Sequence, residues 1–385
     1  AGLCLREYCY SIAFIAHKRE IRSSSSTFLL GKNQIKTELK MTLAESFTGG
    51  ALIGVSAAIL LLFSGEIMGA SGIVNSILLH PLKGLRDPAQ HWKLVFTASF
   101  LLASFIFLAP RFENFEHVVE KKSSLSYVLG GLFVGYGTKL ANGCTSGHGI
   151  CGLGRFSVRS FSAVLTFMAS AVLTTCLTRK DSIWQGSQDS ILSSVIQTYV
   201  VETAGVFNGL IALAALVAPF FHEKKCDESS AKVLPGLVTG VLFASGLFLS
   251  GMTDPTKVTG FLDVMGISEG TWDPSLMAVM ASGVLISFLS YQLIDGKHQL
   301  GVVRRYSLDH PIALRRNSKF KIPTSSSIDQ DLLIGAGAFG VGWGVAGLCP
   351  APAVFMAAAG VPQVLLLWWP AYCAGALVAG GLKKV

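Results

Sequence analysis

Apolar runs of bilayer length recur along the chain from residue 48 to the carboxyl terminus, separated by short polar stretches. Nine of them, at about 48–64, 93–109, 126–142, 160–178, 204–221, 231–250, 274–294, 331–348 and 362–381, approach the ~20 residues that a hydrocarbon core demands of a helix. Four shorter pieces, at about 65–79, 144–156, 251–264 and 349–360, are marked by Gly or Pro. They are too short to cross alone. They read as half-helices or re-entrant loops, which a membrane tolerates only where protein or a polar cavity satisfies their backbone groups. The pattern predicts an all-α integral membrane protein of about nine transmembrane helices and four short broken or re-entrant helices.

The pattern also repeats. Aligned without gaps, Gly50–Gly65 and Gly236–Gly251 share Gly50/Gly236, Gly54/Gly240, Val55/Val241, Ala58/Ala244, Leu61/Leu247, Ser64/Ser250 and Gly65/Gly251. A second pairing follows in the same order, Val134-Gly-Tyr-Gly137 with Val341-Gly-Trp-Gly344, each leading to a cysteine (144 and 349) at the cost of a two-residue gap. The odd span at 204–221 makes the second half start from the opposite face, so the two repeats are expected to be inverted. That arrangement builds a substrate site from broken helices near the bilayer midplane. The expected segments are a tail or targeting segment over 1–47, a first repeat over 48–178, a linker with the extra span over 179–230, and a second repeat over 231–385 that includes a basic loop at 295–329. The small-xxx-small pairs, such as Gly131/Gly135 and Gly340/Gly344, read chiefly as close helix packing.

Composition agrees with this plan. The 385 residues are 51% hydrophobic and 14% charged, against about a quarter charged in soluble domains, which excludes a disordered chain, a disulfide miniprotein and almost any soluble enzyme. The net charge of +8 comes from Lys and Arg lying between apolar runs, not in a basic stripe with interleaved aromatics, so nucleic acid is not an expected partner. Set apart from residues 1–40, the basic loops favour a cytoplasmic carboxyl terminus; with them included, the charge rule does not decide. Residues 1–40 read equally as a presequence, a cytosolic tail or sequence upstream of a start at Met41. The eight cysteines are widely spaced and form no paired framework.

Candidate chemistry concentrates in Asn142-Gly-Cys-Thr-Ser-Gly-His-Gly-Ile-Cys-Gly-Leu-Gly-Arg155. Its glycines (143, 147, 149, 152, 154) bare backbone N–H groups in a way that suits an anion. Thr145 and Ser146 add hydroxyl donors, Arg155 and Arg159 follow, and in a helix Cys144, His148 and Cys151 would share a face. Three readings stand at this point: an anion path, a soft-metal site at Cys144, His148 and Cys151 that lacks a fourth ligand, or plain packing with thiols as small apolar groups. In Gly347-Leu-Cys349-Pro350, the proline suits a first helical turn and places Cys349 at a helix start. Lys139 is an intramembrane cation, either functional or snorkelling. Glu66, Asp254 and Asp263 flank half-helices, as cation-coupling groups or as turn formers; Cys176, Cys226 and Cys373 lie outside any motif.

The chain resembles the YeeE/YedE sulfur-transport membrane proteins through Gly143-Cys-Thr-Ser-Gly-His-Gly-Ile-Cys-Gly-Leu-Gly-Arg-Phe-Ser157, Arg159-Ser160 and Gly347-Leu-Cys-Pro350. The resemblance covers about 48–382. It implies a bundle of about nine spans with short broken helices, pinched in the middle, that imports thiosulfate past thiols carried here by Cys144 and Cys349. Many members also bear a thiol in the first half-helix. Here that stretch is Met68-Gly-Ala-Ser-Gly-Ile-Val74, where Ser71 offers a hydroxyl instead. No chemical reaction and no cofactor or resident metal is implied. The expected partners are a small sulfur anion, the lipid bilayer and a sulfur-accepting cytosolic protein. A membrane thiol protein that relays sulfane sulfur covalently, or a soft-metal-binding membrane protein, is the alternative.

Overall fold

The computed structural model describes residues 43–108, 122–179, 228–294, 308–314 and 317–382. The chain divides into two compact units, Ala1–Glu45 and Ser46–Val385; of the first, only the opening of a helix is described. The described residues are almost entirely helical, and their β-structure is confined to isolated bridges such as the one between Ile294 and Leu308. In chain order the principal helices are α1 (Leu43–Ser64), α2 (Ala70–Leu78), α3 (His91–Leu108), α4 (Ser124–Ala141), α5 (Thr145–Gly152), α6 (Val158–Thr178), α7 (Val233–Leu249), α8 (Pro255–Leu262), α9 (Ser275–Gln292), α10 (Gln330–Ala346), α11 (Pro350–Ala358) and α12 (Val364–Leu382). Among the described residues, five helices are long and apolar enough to cross a membrane, and α10 with α11, bent by 41°, form a further broken apolar unit. The protein is an integral, multi-pass membrane protein.

Eight of the nine apolar runs fall on long helices, and the run at 204–221 lies outside the described residues. The four short pieces fall on α2, α5, α8 and α11. Two expectations shift. Helix α1 begins at Leu43, inside the segment expected to be a tail. Helix α5 is a π-helix preceded by Cys144 in extended backbone (φ −135°, ψ −165°), so Cys144 is not on a common helical face with His148 and Cys151. The π turn is wider than an α turn, and its three glycines at 147, 149 and 152 leave no side chains to resist that widening.

Local chemistry explains the ends. Asp329 accepts from Leu332 N at 2.8 Å to start α10, and Ser157 accepts from Ser160 N at 3.3 Å to start α6. Asp254 does the same for α8, with Pro255 at its first position. Helices α4 and α10 both stop at a left-handed residue, Asn142 (φ 57°) and Gly347 (φ 69°). Along α6, Ser162, Thr166, Ser170, Thr174 and Thr178 each donate to the carbonyl four residues earlier, so these five hydroxyls are satisfied within the helix, whereas Thr175 donates across to Gly344 O of α10 at 3.1 Å.

Glycines set the helix contacts. A Cβ at Gly130 would meet Ala346, and one at Gly137 would meet Phe339, so α4 and α10 run antiparallel with backbones almost touching. Gly131 and Gly135 abut the Trp368 and Tyr372 carbonyls of parallel α12, while Gly340 and Gly344 abut the Phe167 and Ala171 carbonyls of parallel α6. In the other half of the helices, Gly50 and Gly54 pack on α9 and Gly236 and Gly240 on α3, again parallel in both cases.

Ion pairs mark the two ends of the bundle. At one end Glu66 accepts from Lys232 at 2.8 Å and Lys321 at 2.7 Å, and Arg159 pairs with Asp329 at 2.6 Å. The described part of the basic loop is pinned here, with Ile312 N donating to Leu62 O at 2.8 Å and Lys321 N to Gly65 O at 2.8 Å. At the other end of α6, Arg179 pairs with Asp263 at 3.1 Å and also with Glu269.

Candidate functional site

The half-helix starts meet. Cys144 and Cys349 each occupy the extended residue just before a half-helix, α5 and α11 respectively, Cys349 at φ −111° and ψ 172°. Thr145 Oγ1 donates to Cys349 Sγ at 3.6 Å, and Cys144 Sγ lies 3.3 Å from Ser146 Oγ. The start of α2 joins them, with Ala70 N donating to Ser146 Oγ at 3.1 Å. The start of α8 lies against the end of α10, where a Cβ at Gly347 would run into the Pro255 carbonyl. Four helix starts, each with N–H groups that have no partner within the helix, are thereby linked around Cys144 and Cys349.

Two cavities flank the first turn of α5. The larger, about 440 Å³, is lined by Ser71, Gly143, Gly147, His148, Arg155 and Arg159 among others, and reaches the exposed residues Pro323, Ser325 and Asp329. The smaller, about 40 Å³, is lined by Cys144, Thr145, Ser146, Cys349 and Trp343 within an otherwise apolar wall; it holds no more than a few waters. Gly69, Gly72 and Gly147 would each place a Cβ in open space, so backbone forms part of the larger cavity's wall.

Charge in the larger cavity is mainly positive. Arg155 is buried, its Nη1 donates to Pro323 O at 2.6 Å, and its Nε has no hydrogen-bond partner among the described residues. Arg159 is held by Asp329. His148 is fixed at both nitrogens: Nε2 lies 3.3 Å from Ala141 O and Nδ1 3.1 Å from Ser160 Oγ. A carbonyl only accepts, so Nε2 carries the hydrogen and, in the neutral ring, Nδ1 accepts from Ser160.

Other expected residues sit apart. Cys151 is buried and donates to Met68 O at 3.3 Å, and it lines neither cavity. Lys139 lies beside Gly380 and lines neither cavity, and Pro350 is a buried first-turn residue of α11. Among the described residues, no group of three His, Cys, Asp or Glu side chains could hold a metal ion. Sequence reasoning gave no role to Ser160, Asp329 or Trp343. Ser160 had a faint signal in its place beside Arg159 in the family motif, and Trp343 stood in the repeat segment Val341-Gly-Trp-Gly344 with nothing there to mark it as a cavity residue.

Residues 4–173 match the family described as "Sulphur transport", and residues 231–384 match a family of unknown function, DUF6691. A probable transporter of Xylella fastidiosa strain Temecula1 is 33% identical over 138 residues, which are 36% of this chain and 82% of that protein. A probable transporter of strain 9a5c is 38% identical over 126 residues, 33% of this chain and 87% of that protein. With the half-helix motifs in place around the two cavities, these matches show that the chain belongs to the YeeE/YedE sulphur-transport family.

Proposed function

We propose that the protein is a permease for thiosulfate or a related small sulfur anion, passed along a thiol-lined path between two inverted repeats. The observation that carries this reading is that Cys144 and Cys349, from opposite halves of the sequence, line one small cavity. The larger cavity, with Arg155, Arg159, Ser71, His148 and the backbone at Gly143 and Gly147, is the place where the anion first sheds water. A bare dianion in a low-dielectric core is very costly. Helix starts and N–H groups replace its water, and uncharged thiols offer weak donors that let the ion leave again. A sulfur-accepting cytosolic protein then takes the released ion.

The repeats are supported by contacts that exchange in pairs. Gly130 meets Ala346 as Gly335 meets Ala141, and Gly135 abuts α12 as Gly340 abuts α6. Gly65 and Gly251 share a left-handed backbone at φ 68° and 67°. These pairs favour an ungapped register in the later pairing, Gly135 with Gly340 and Cys144 with Cys349. The first repeat then takes in all of α1 from residue 43 and runs to 178, the linker with the extra span covers 179–230 and the second repeat 231–385, with nine spans. The end of α6 at Arg179 and the start of α7 at Lys232 lie at opposite ends of the bundle, as an extra span between them requires.

The test is uptake of labelled thiosulfate into proteoliposomes, with and without excess sulfate. Wild-type protein is expected to take up thiosulfate, and Cys144→Ser and Cys349→Ser to keep part of that uptake, because a hydroxyl still donates. Complete loss in both serine variants, with folding intact, would favour covalent sulfur relay. No thiosulfate uptake by wild type would remove the substrate assignment.

A further inference from the structure

We infer that Trp343 is a substrate-binding and selectivity residue whose indole N–H donates to the sulfur anion between Cys144 and Cys349; the inference rests on the permease reading above. Trp343 lines the small cavity with both thiols and is 2% exposed. Its Nε1 has no hydrogen-bond partner among the described residues. A buried donor left unpaired costs about 1–3 kcal/mol, and a native protein keeps such a group where something else satisfies it. Among the described lining residues of this cavity, Trp343 supplies the one side-chain N–H. The hydroxyls there are engaged, Thr145 with Cys349 and Ser146 with Ala70.

The ring is held in place before any ion arrives. It stacks on Phe339 at 6.0 Å and 16°, and Phe167 meets it edge-on at 6.0 Å and 83°. An indole donor is neutral, so it pairs with an anion without trapping it as a lysine would. Its polarisable ring suits a soft sulfur terminus better than the hard, strongly hydrated oxygens of sulfate.

Uptake measured against thiosulfate concentration tests this. Trp343→Phe keeps the stacked ring and removes the donor; its KM is expected to rise about tenfold, the scale of one hydrogen bond to a charged group, with less discrimination against sulfate. Trp343→His, which restores an N–H, is expected to recover part of the loss. Trp368→Phe removes another buried indole N–H without a partner among the described residues, one that lines neither cavity, and is expected to leave KM unchanged. A Trp343→Phe KM within twofold of wild type, with wild type transporting, overturns the inference alone; absence of wild-type uptake ends the reading beneath it. Should Trp343→Phe not fold, indole-nitrogen NMR of the wild-type protein serves. Substituting the other five of its six tryptophans one at a time identifies the Trp343 signal; a shift on saturation with thiosulfate supports the inference, and no shift overturns it.

Discussion

Asn142 and Gly347 do the same backbone job in different surroundings. Both end a long helix in the left-handed region, but Asn142 is exposed whereas Gly347 is pressed against the Pro255 carbonyl. Asn142→Gly is therefore expected to change stability by only a few tenths of a kcal/mol. Gly347→Ala adds a side chain that is both disfavoured at φ 69°, by about 1–2 kcal/mol, and without room. Thermal unfolding in detergent should separate the two variants clearly; equal melting temperatures would mean that the half-helix contact at Pro255 does not constrain the chain.

At the scale of elements, Glu66 ties the end of α1 to the start of α7 and to the basic loop through Lys232 and Lys321. Burial pushes its carboxyl up, but the hydrogen bonds and charges of the two lysines outweigh that and leave it below the ordinary glutamate value. A carboxyl lowered on folding stabilises the protein above its unfolded value, about 4.3, and that contribution is lost as pH falls through the folded value. Wild-type melting temperature is expected to drop on acidification in this range. Glu66→Gln should be less stable already at about pH 7, because Lys232 is left buried without its carboxylate, and should lack this part of the pH dependence. Lys321→Ala, at a side chain 61% exposed, should cost no more than about 1 kcal/mol.

Across the whole molecule, α6 separates two polar ends, one marked by Arg159 with Asp329 and the other by Arg179 with Glu269. With Cys4, Cys9, Cys176, Cys226 and Cys373 replaced by Ser, single cysteines at Asp329→Cys and Glu269→Cys are expected to react with a membrane-impermeant maleimide from opposite sides. Both positions are about half exposed, while Cys144, Cys151 and Cys349 are buried. Labelling from the same side would contradict the direction of α6 and the inverted arrangement together.

The order of long helices and half-helices was legible in the chain because hydropathy, Gly and Pro act locally: a run of apolar residues needs lipid or core, and a proline or a glycine run interrupts a helix where it stands. The motif around Cys144 and the Cys349-Pro350 pair were visible for the same reason. What tertiary structure decided was which of these residues meet. Thr145 and Cys349 are 204 positions apart, and Arg159 and Asp329 170, so their contacts depend on how closely α4, α6 and α10 pack through their glycines. That packing turned Cys151 and Lys139 away from the cavities and brought Trp343 to one, since no local pattern records which side of a buried helix faces an opening.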